Sequence, residues 1–159
     1  MITVALVEPE IPQNTGNIAR LCAATRTPLH IVGAASFRLD DRAVRRAGLD
    51  YWPEVVLHRH RDLDDLRRSL PEARYVYFST KGETRYFDWA FATNDCLVFG
   101  PETRGLPNQL LLENWERCVT IPMLNPKVRS LNLANSVAIV VYEALRQTAA
   151  FTTIGNPEN

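Results

Sequence analysis

The feature that most constrains this chain is an alternation of two patterns. Short, nearly continuous apolar runs recur at residues 2–7, 29–32, 55–58, 75–80, 96–100 and 118–121. They favour β-branched and aromatic residues and read as strands. Between them lie segments at 18–24, 40–47, 62–70, 106–114 and 132–149 that read as helices. Local signals support these limits. Asn14, Thr15 and Asn17 precede the first helix as capping types, and Gly48 follows the 40–47 segment. The 62–70 segment places acids first and arginines last and stops before Pro71, as the helix dipole favours. Strands that are apolar at successive positions are buried on both faces, and strands that alternate with helices build parallel sheets. The expected fold is α/β, a mainly parallel sheet with helices on both faces.

At 159 residues the chain has the size of one domain. Residues 1–150 are expected to form it, and 151–159, polar with Gly155 and Pro157, to be a flexible C-terminal tail. No apolar run approaches the about 20 residues of a bilayer span. Residues 1–8 reach Glu8 without a basic stretch. Neither a membrane segment nor a signal peptide is expected. Cys22, Cys96 and Cys118 are isolated among apolar neighbours, without a CxxC or a zinc-like Cys/His spacing. They read as small core residues of a cytoplasmic protein. His58 and His60 form an HxH pair with no carboxylate set around it, which reads as a solvated loop or strand edge; no metal is expected.

The formal net charge is zero, which argues against binding to nucleic acid by bulk charge. The zero conceals a gradient. Residues 17–61 carry eight arginines against Asp40, Asp41, Asp50 and Glu54, a net +4, while residues 62–116 are net −4. Arg38, Arg42, Arg45 and Arg46, followed by 58–61, have two readings. They form a phosphate-binding face, or they pair with Asp40, Asp41 and Asp50 on a solvated helix.

There is no GxGxxG after the first strand, no GxxxxGK[ST] and no GxSxG. These absences weaken dehydrogenase, P-loop and α/β-hydrolase readings. In parallel sheets ligands sit at the carboxyl ends of strands, and three unusual segments fall there. Residues 8–20 lead through NTGN into a helix with Arg20 one turn in, which makes either an anion site or a capped helix with a surface arginine. Residues 99–107, FGPETRGLP, place two glycines and two prolines in a rigid turn that lets backbone approach a ligand. Residues 121–136 deliver Arg129, Ser130 and Asn132 to the start of a very apolar helix. Capping accounts for one of Asn132, Asn135 and Ser136.

NTGNIAR, FGPETRGLP and IPM followed by RSLNLANSVAIVVYEALRQ resemble, in order and separation, the three motifs of the SPOUT-class, SpoU-type RNA 2′-O-methyltransferases. The resemblance runs from Val4 to about Gln147. It implies a C-terminal trefoil knot, one of the exceptions to unknotted connection. It implies S-adenosyl-L-methionine as cofactor, with S-adenosyl-L-homocysteine as product, and a homodimer whose sites are completed by the partner subunit. The implied substrate is tRNA, as leucine isoacceptors, methylated on the ribose 2′-hydroxyl of the wobble nucleotide at position 34, a cytidine or a carboxymethylaminomethyl-modified uridine. Another tRNA or rRNA ribose, or a catalytically silent RNA-binding module, are the alternatives. Matched position by position, the resemblance puts Phe78, Ser79, Thr80, Gly100, Ile121, Met123, Ser130 and Leu131 at the cofactor. It puts Asn14, Arg20, Glu102, Ser130 and Asn132 in catalysis. Arg20, Arg45, Arg46 and Arg129 are expected at the RNA. Arg20 suits stabilisation of a developing alkoxide and a nearby phosphate better than proton abstraction, because a guanidinium stays protonated. The 132–149 helix is apolar on more than one stripe, and burial shared with a second subunit is preferred over burial in one core.

Overall fold

The computed structural model describes residues 1–35 and 50–153. Seven strands form one sheet: β1 (Thr3–Val7), β2 (Leu29–Val32), β3 (Leu57–His60), β4 (Arg74–Phe78), β5 (Thr84–Arg85), β6 (Asp95–Phe99) and β7 (Cys118–Thr120). Their order is β3-β2-β1-β6-β4-β7-β5 and every pairing is parallel, with Val4 level with Leu29 on one side and Leu97 on the other. Among the described residues the α-helices are α1 (Pro12–Thr25), α2 (Leu63–Ser69), α3 (Asn108–Glu113) and α4 (Leu133–Gln147).

The two-residue period of the strands divides the core. Val4, Leu6, Leu29, Ile31, Val76, Phe78, Leu97, Phe99 and Val119 pack on one face with Ile18 and Cys22 of α1 and Val137, Val140, Val141 and Ala144 of α4. Ala5, Val32, Tyr75, Tyr77, Cys96, Val98 and Cys118 pack on the other, beneath Leu66 of α2 and Leu111 of α3. Helices therefore cover both faces, as expected. The three cysteines are free and buried, and burial pushes the thiols of Cys22 and Cys96 up to about 12 and about 11. Among the described residues no helix is long and apolar enough to cross a membrane.

Strand β7 lies between β4 and β5, which are neighbours in sequence. The Ser79 N–H donates to the Val119 carbonyl at 3.0 Å and the Tyr86 N–H to that of Thr120 at 2.9 Å, so residues 79–86 straddle a strand supplied later by the chain. The two-residue β5 has too little apolar pattern to be read from sequence.

Several boundaries move. Helix α1 starts at Pro12, not at 18: proline sits in the first turn, where its missing N–H costs nothing, and Ile11 is the N-cap without a side-chain cap bond. Asn14 and Thr15 are therefore buried helix residues, not caps. Strand β3 begins at Leu57 because residues 52–54 form a 3-10 turn closed by the Val55 N–H on the Trp52 carbonyl. Pro107 caps α3 instead of lying within it. Asp62 caps α2 by accepting from the Asp65 N–H, and Asn132 caps α4 by accepting from the N–H groups of Ala134 and Asn135. The helix expected at 40–47, with Arg38, Arg42, Arg45 and Arg46, lies outside the described residues, as do residues 154–159 of the tail expected at 151–159, whose first three residues instead belong to a 3-10 turn over Ala150–Thr153.

Candidate active site

The carboxyl ends of β4, β6 and β7 open into a cleft of about 300 Å³. Its base is aromatic. Phe78 and Phe99, at the last positions of β4 and β6, stack with ring centroids 4.6 Å apart. Three connecting segments form the walls: 79–81 after β4, 100–106 after β6, and Ile121, Met123 and 129–131 after β7, closed by Leu133 and Ser136 of α4. All eight residues expected at the cofactor line this one cleft, and Glu102 and Arg129 line it with them. Gly100 is required where it stands, because a Cβ there would lie 2.4 Å from the backbone of Gly105 and Leu106. The 100–106 turn closes on itself only without that atom.

Beside the cleft runs a relay of side chains. Glu102 accepts from the Glu10 N–H at 2.8 Å, from the Ile11 N–H at 3.1 Å and from the Asn14 amide at 3.1 Å. The Asn14 carbonyl oxygen in turn accepts from the Asn132 amide at 2.9 Å, while the Asn132 oxygen caps α4. Burial pushes the Glu102 carboxyl upward, but the bonds from Glu10, Asn14 and Ile11 outweigh it and hold it below the usual carboxylate range. The start of α1 is thus met by the protein's own carboxylate. That corrects its reading as a site for an external anion at the helix N-terminus. Of the residues expected in catalysis, Asn14, Glu102 and Asn132 are brought together, with Ser130 exposed at the cleft rim two residues before the α4 cap.

Arg20 is not brought to them. It is exposed on α1, outside the lining of the cleft in its own chain, with its guanidinium 5.6 Å from the centre of the Tyr51 ring. The Tyr51 hydroxyl donates to the Gly16 carbonyl at 3.1 Å, which fixes that ring against α1. Arg45 and Arg46 lie outside the described residues. Lys81, Thr103 and Arg104 line the cleft without having been singled out. Thr103 and Arg104 stand inside FGPETRGLP, so the signal was present in the segment read as a ligand-facing turn. His58 and His60 do lie on the edge strand β3, but both stack on the buried His30, a contact that spacing could not reveal. Among the described residues no group of three or more His, Cys, Asp or Glu is placed to hold a metal ion.

An aromatic base suits a flat heterocycle, and a rim of Ser79, Thr80, Glu102, Thr103 and Ser130 suits hydroxyl groups and a charged amino-acid tail. The donor set therefore fits an adenosyl amino acid. A parallel sheet with these three loops gathered at one cleft defines an RNA ribose methylase of the SpoU class, and residues 1–142 match the SpoU rRNA Methylase family. The chain belongs to that family. It is 50% identical over 151 residues to the tRNA (cytidine(34)-2′-O)-methyltransferase of Burkholderia cenocepacia, covering 92% of this chain and 96% of that one. A solved structure concerned with the 2-OH methylation of C/U34 on tRNA superposes with a TM-score of 0.84 at 45% identity, over 92% of this chain and 95% of the other. The SpoU methyltransferase AviRb of Streptomyces viridochromogenes, solved in complex with AdoMet, gives a TM-score of 0.73 at 27% identity, over 92% of this chain and 57% of that chain.

Proposed function

We propose that this chain methylates the ribose 2′-hydroxyl of the wobble nucleotide, position 34, in tRNA, using S-adenosylmethionine. One observation carries the reading: three segments far apart in sequence assemble one cleft, and every residue matched to the cofactor lies in it. The similarity to curated wobble-ribose methyltransferases supports the position of the modified nucleotide.

The cofactor supplies an electrophilic methyl group on a sulfonium, so the protein's task is alignment and charge, which together account for most of such a rate enhancement. Phe78, Gly100, Ile121 and Leu131 would hold the adenosine, and Ser79, Thr80, Met123 and Ser130 the remainder. Glu102 has both oxygens engaged and holds the start of α1 instead of taking the ribose proton. Arg20, cationic throughout the working pH range, stabilises the developing alkoxide and a flanking phosphate. Its position outside the cleft of its own chain supports a homodimer in which α1 of one copy serves the other. Tyr142 is 50% exposed on α4 and stacks on Phe151, itself 39% exposed, an apolar surface that a second copy would cover. Arg129 stands exposed at the rim, suited to phosphate. Three buried, unpaired cysteines fit a reducing cytoplasmic setting. Leucine isoacceptors, with cytidine or carboxymethylaminomethyl-modified uridine at the wobble position, are the proposed substrates.

The test is incubation with labelled S-adenosylmethionine and total tRNA, followed by mapping of the labelled nucleotide. Label on the wobble ribose of leucine tRNAs is expected. Label on another ribose would reassign the substrate, and no label in any RNA would leave a silent binding module. Sedimentation is expected to give twice the 18.0 kDa chain mass.

A further inference from the structure

The wall formed by residues 100–106 is a loop between β6 and α3, turned back on itself by the Gly105 N–H, which donates to the Pro101 carbonyl at 2.9 Å. It is held by the loop between β1 and α1 through reciprocal hooks. Glu102 reaches out of the wall to the N–H groups of Glu10 and Ile11. Glu10 reaches back, accepting from the Thr103 N–H at 3.0 Å and the Thr103 hydroxyl at 2.9 Å. Arg104 completes the pair, its guanidinium donating to Glu10 at 3.4 Å and to Glu8.

Glu8 is placed for this at a cost. Its φ is +45°, a left-handed conformation that a residue with a side chain adopts rarely and under strain. The side chain lies over Gly33, where a Cβ would come 2.8 Å from the Glu8 Cγ. Yet Arg104 and Glu8 are both well exposed, at 61% and 46% of their side chains, and an exposed ion pair adds little to global stability. Strain spent on a pair of small stabilising value indicates a local purpose. That purpose is the wall, because Arg104 itself lines the cleft.

We propose that Arg104, gripped by Glu8 and Glu10, is a positioning residue that sets the 100–106 wall against the cofactor. The inference rests on the methyltransferase reading and adds three residues that the motif comparison did not assign. The clamp acts on cofactor affinity: releasing it lets the wall drift from the ligand without unfolding the sheet.

The experiment is a double-mutant cycle on the full-length chain, with Glu8→Gln, Arg104→Ala and the double variant, read by calorimetric titration with S-adenosylmethionine and by steady-state kinetics. Each single variant is expected to bind cofactor about tenfold more weakly, and the double no more weakly than either, as for groups acting as one unit. The cofactor KM rises in step, while kcat and the tRNA KM stay within about twofold. The melting temperature moves by no more than about 3 °C, which separates a positioning role from a loss of fold. Unchanged cofactor affinity in both single variants overturns the proposal. So does a raised tRNA KM with unchanged cofactor affinity, which would make Arg104 an RNA contact, and so do additive losses. The titration reads the clamp whether or not any RNA is methylated, so failure of the proposed reaction and failure of the clamp give different results.

Discussion

Asn132 donates its side-chain amide to Asn14 at 2.9 Å across 118 positions of chain, and that bond joins the first turns of the two helices that cover one face of the sheet. Asn14 is 5% exposed and passes the connection to Glu102. The relay has a direction. Asn132 uses its oxygen on the α4 cap, so only its amide remains for Asn14, and Asn14 must then present its own amide to Glu102.

Asn14→Ala leaves the Asn132 amide and one Glu102 oxygen short of a partner. Both groups are open to water and that Glu102 oxygen keeps the Ile11 N–H, so urea unfolding should show only the net loss of such hydrogen bonds, about 0.5–1.5 kcal/mol. Methyl transfer should fall further than stability, since Asn14 also fixes Glu102 at the cleft. Asn132→Asp separates the two duties of Asn132. It keeps the cap and sets an acceptor against the Asn14 oxygen, so the helix should survive while activity drops.

Glu102→Gln tests the other end of the relay. The carboxylate accepts three bonds, two on one oxygen and one on the other. A glutamine places an NH2 group against at least one N–H donor, and a loss on the order of 1–2 kcal/mol is expected. In the native protein the lowered Glu102 pKa keeps it ionised above the ordinary carboxylate range. The pH profile of kcat should therefore show no limb from Glu102 between about pH 5 and pH 8. Such a limb, abolished by Glu102→Gln, would return it to the role of proton acceptor.

Among the described residues, strand existence was legible because period and apolar content carry it: six of the seven strands were anticipated. Glu102 and Asn132 were readable only as members of motifs, and their linkage through Asn14 was not, since nothing local in a sequence records bonds between residues 88 or 118 positions apart. The start of α1 was misplaced for a related reason. Asn14 looks like a cap when only its neighbours are considered, and becomes an interior helix residue once Glu102, from a distant loop, meets the helix start. The clamp on Arg104 was hidden by its charge pattern, because Glu8 and Glu10 read as surface acids until the fold brings β1 beside β6.

Gly100→Ala should remove the cleft. The added Cβ would meet backbone atoms of Gly105 and Leu106 at 2.4 Å, and backbone in a tight turn cannot yield as a side-chain tip does. Overpacking of this kind costs about 1–3 kcal/mol when the chain shifts to relieve it. The shift falls on the cofactor wall, so calorimetric titration with S-adenosylmethionine should show no measurable binding in a protein that still unfolds cooperatively.

The histidine cluster gives the protein a specific acid sensitivity. His30 is 3% exposed, its Nδ1 lies 2.9 Å from His60 Nε2, and its ring stacks on His58 at 4.8 Å. Burial, and then the positive charge that His58 and His60 can carry, pushes its pKa from 6.5 to about 4. His60 is lowered as well, by burial first, with Asp65 of α2 pulling the other way. A base with a lowered pKa stays neutral in the fold and takes up its proton near 6.5 only when the chain opens. The stability it contributes is therefore complete above pH 6.5 and is lost as pH falls towards 4. The loss should be on the order of 2 kcal/mol, read by urea unfolding between about pH 7 and about pH 4.5. The lowered carboxylates Asp65, Glu102 and Glu143 start from ordinary values of 3.8 and 4.5, so only the first part of the glutamate losses falls at the lower edge of this window. His30→Leu should flatten the slope within it. An unchanged slope in that variant would place the acid sensitivity outside the cluster.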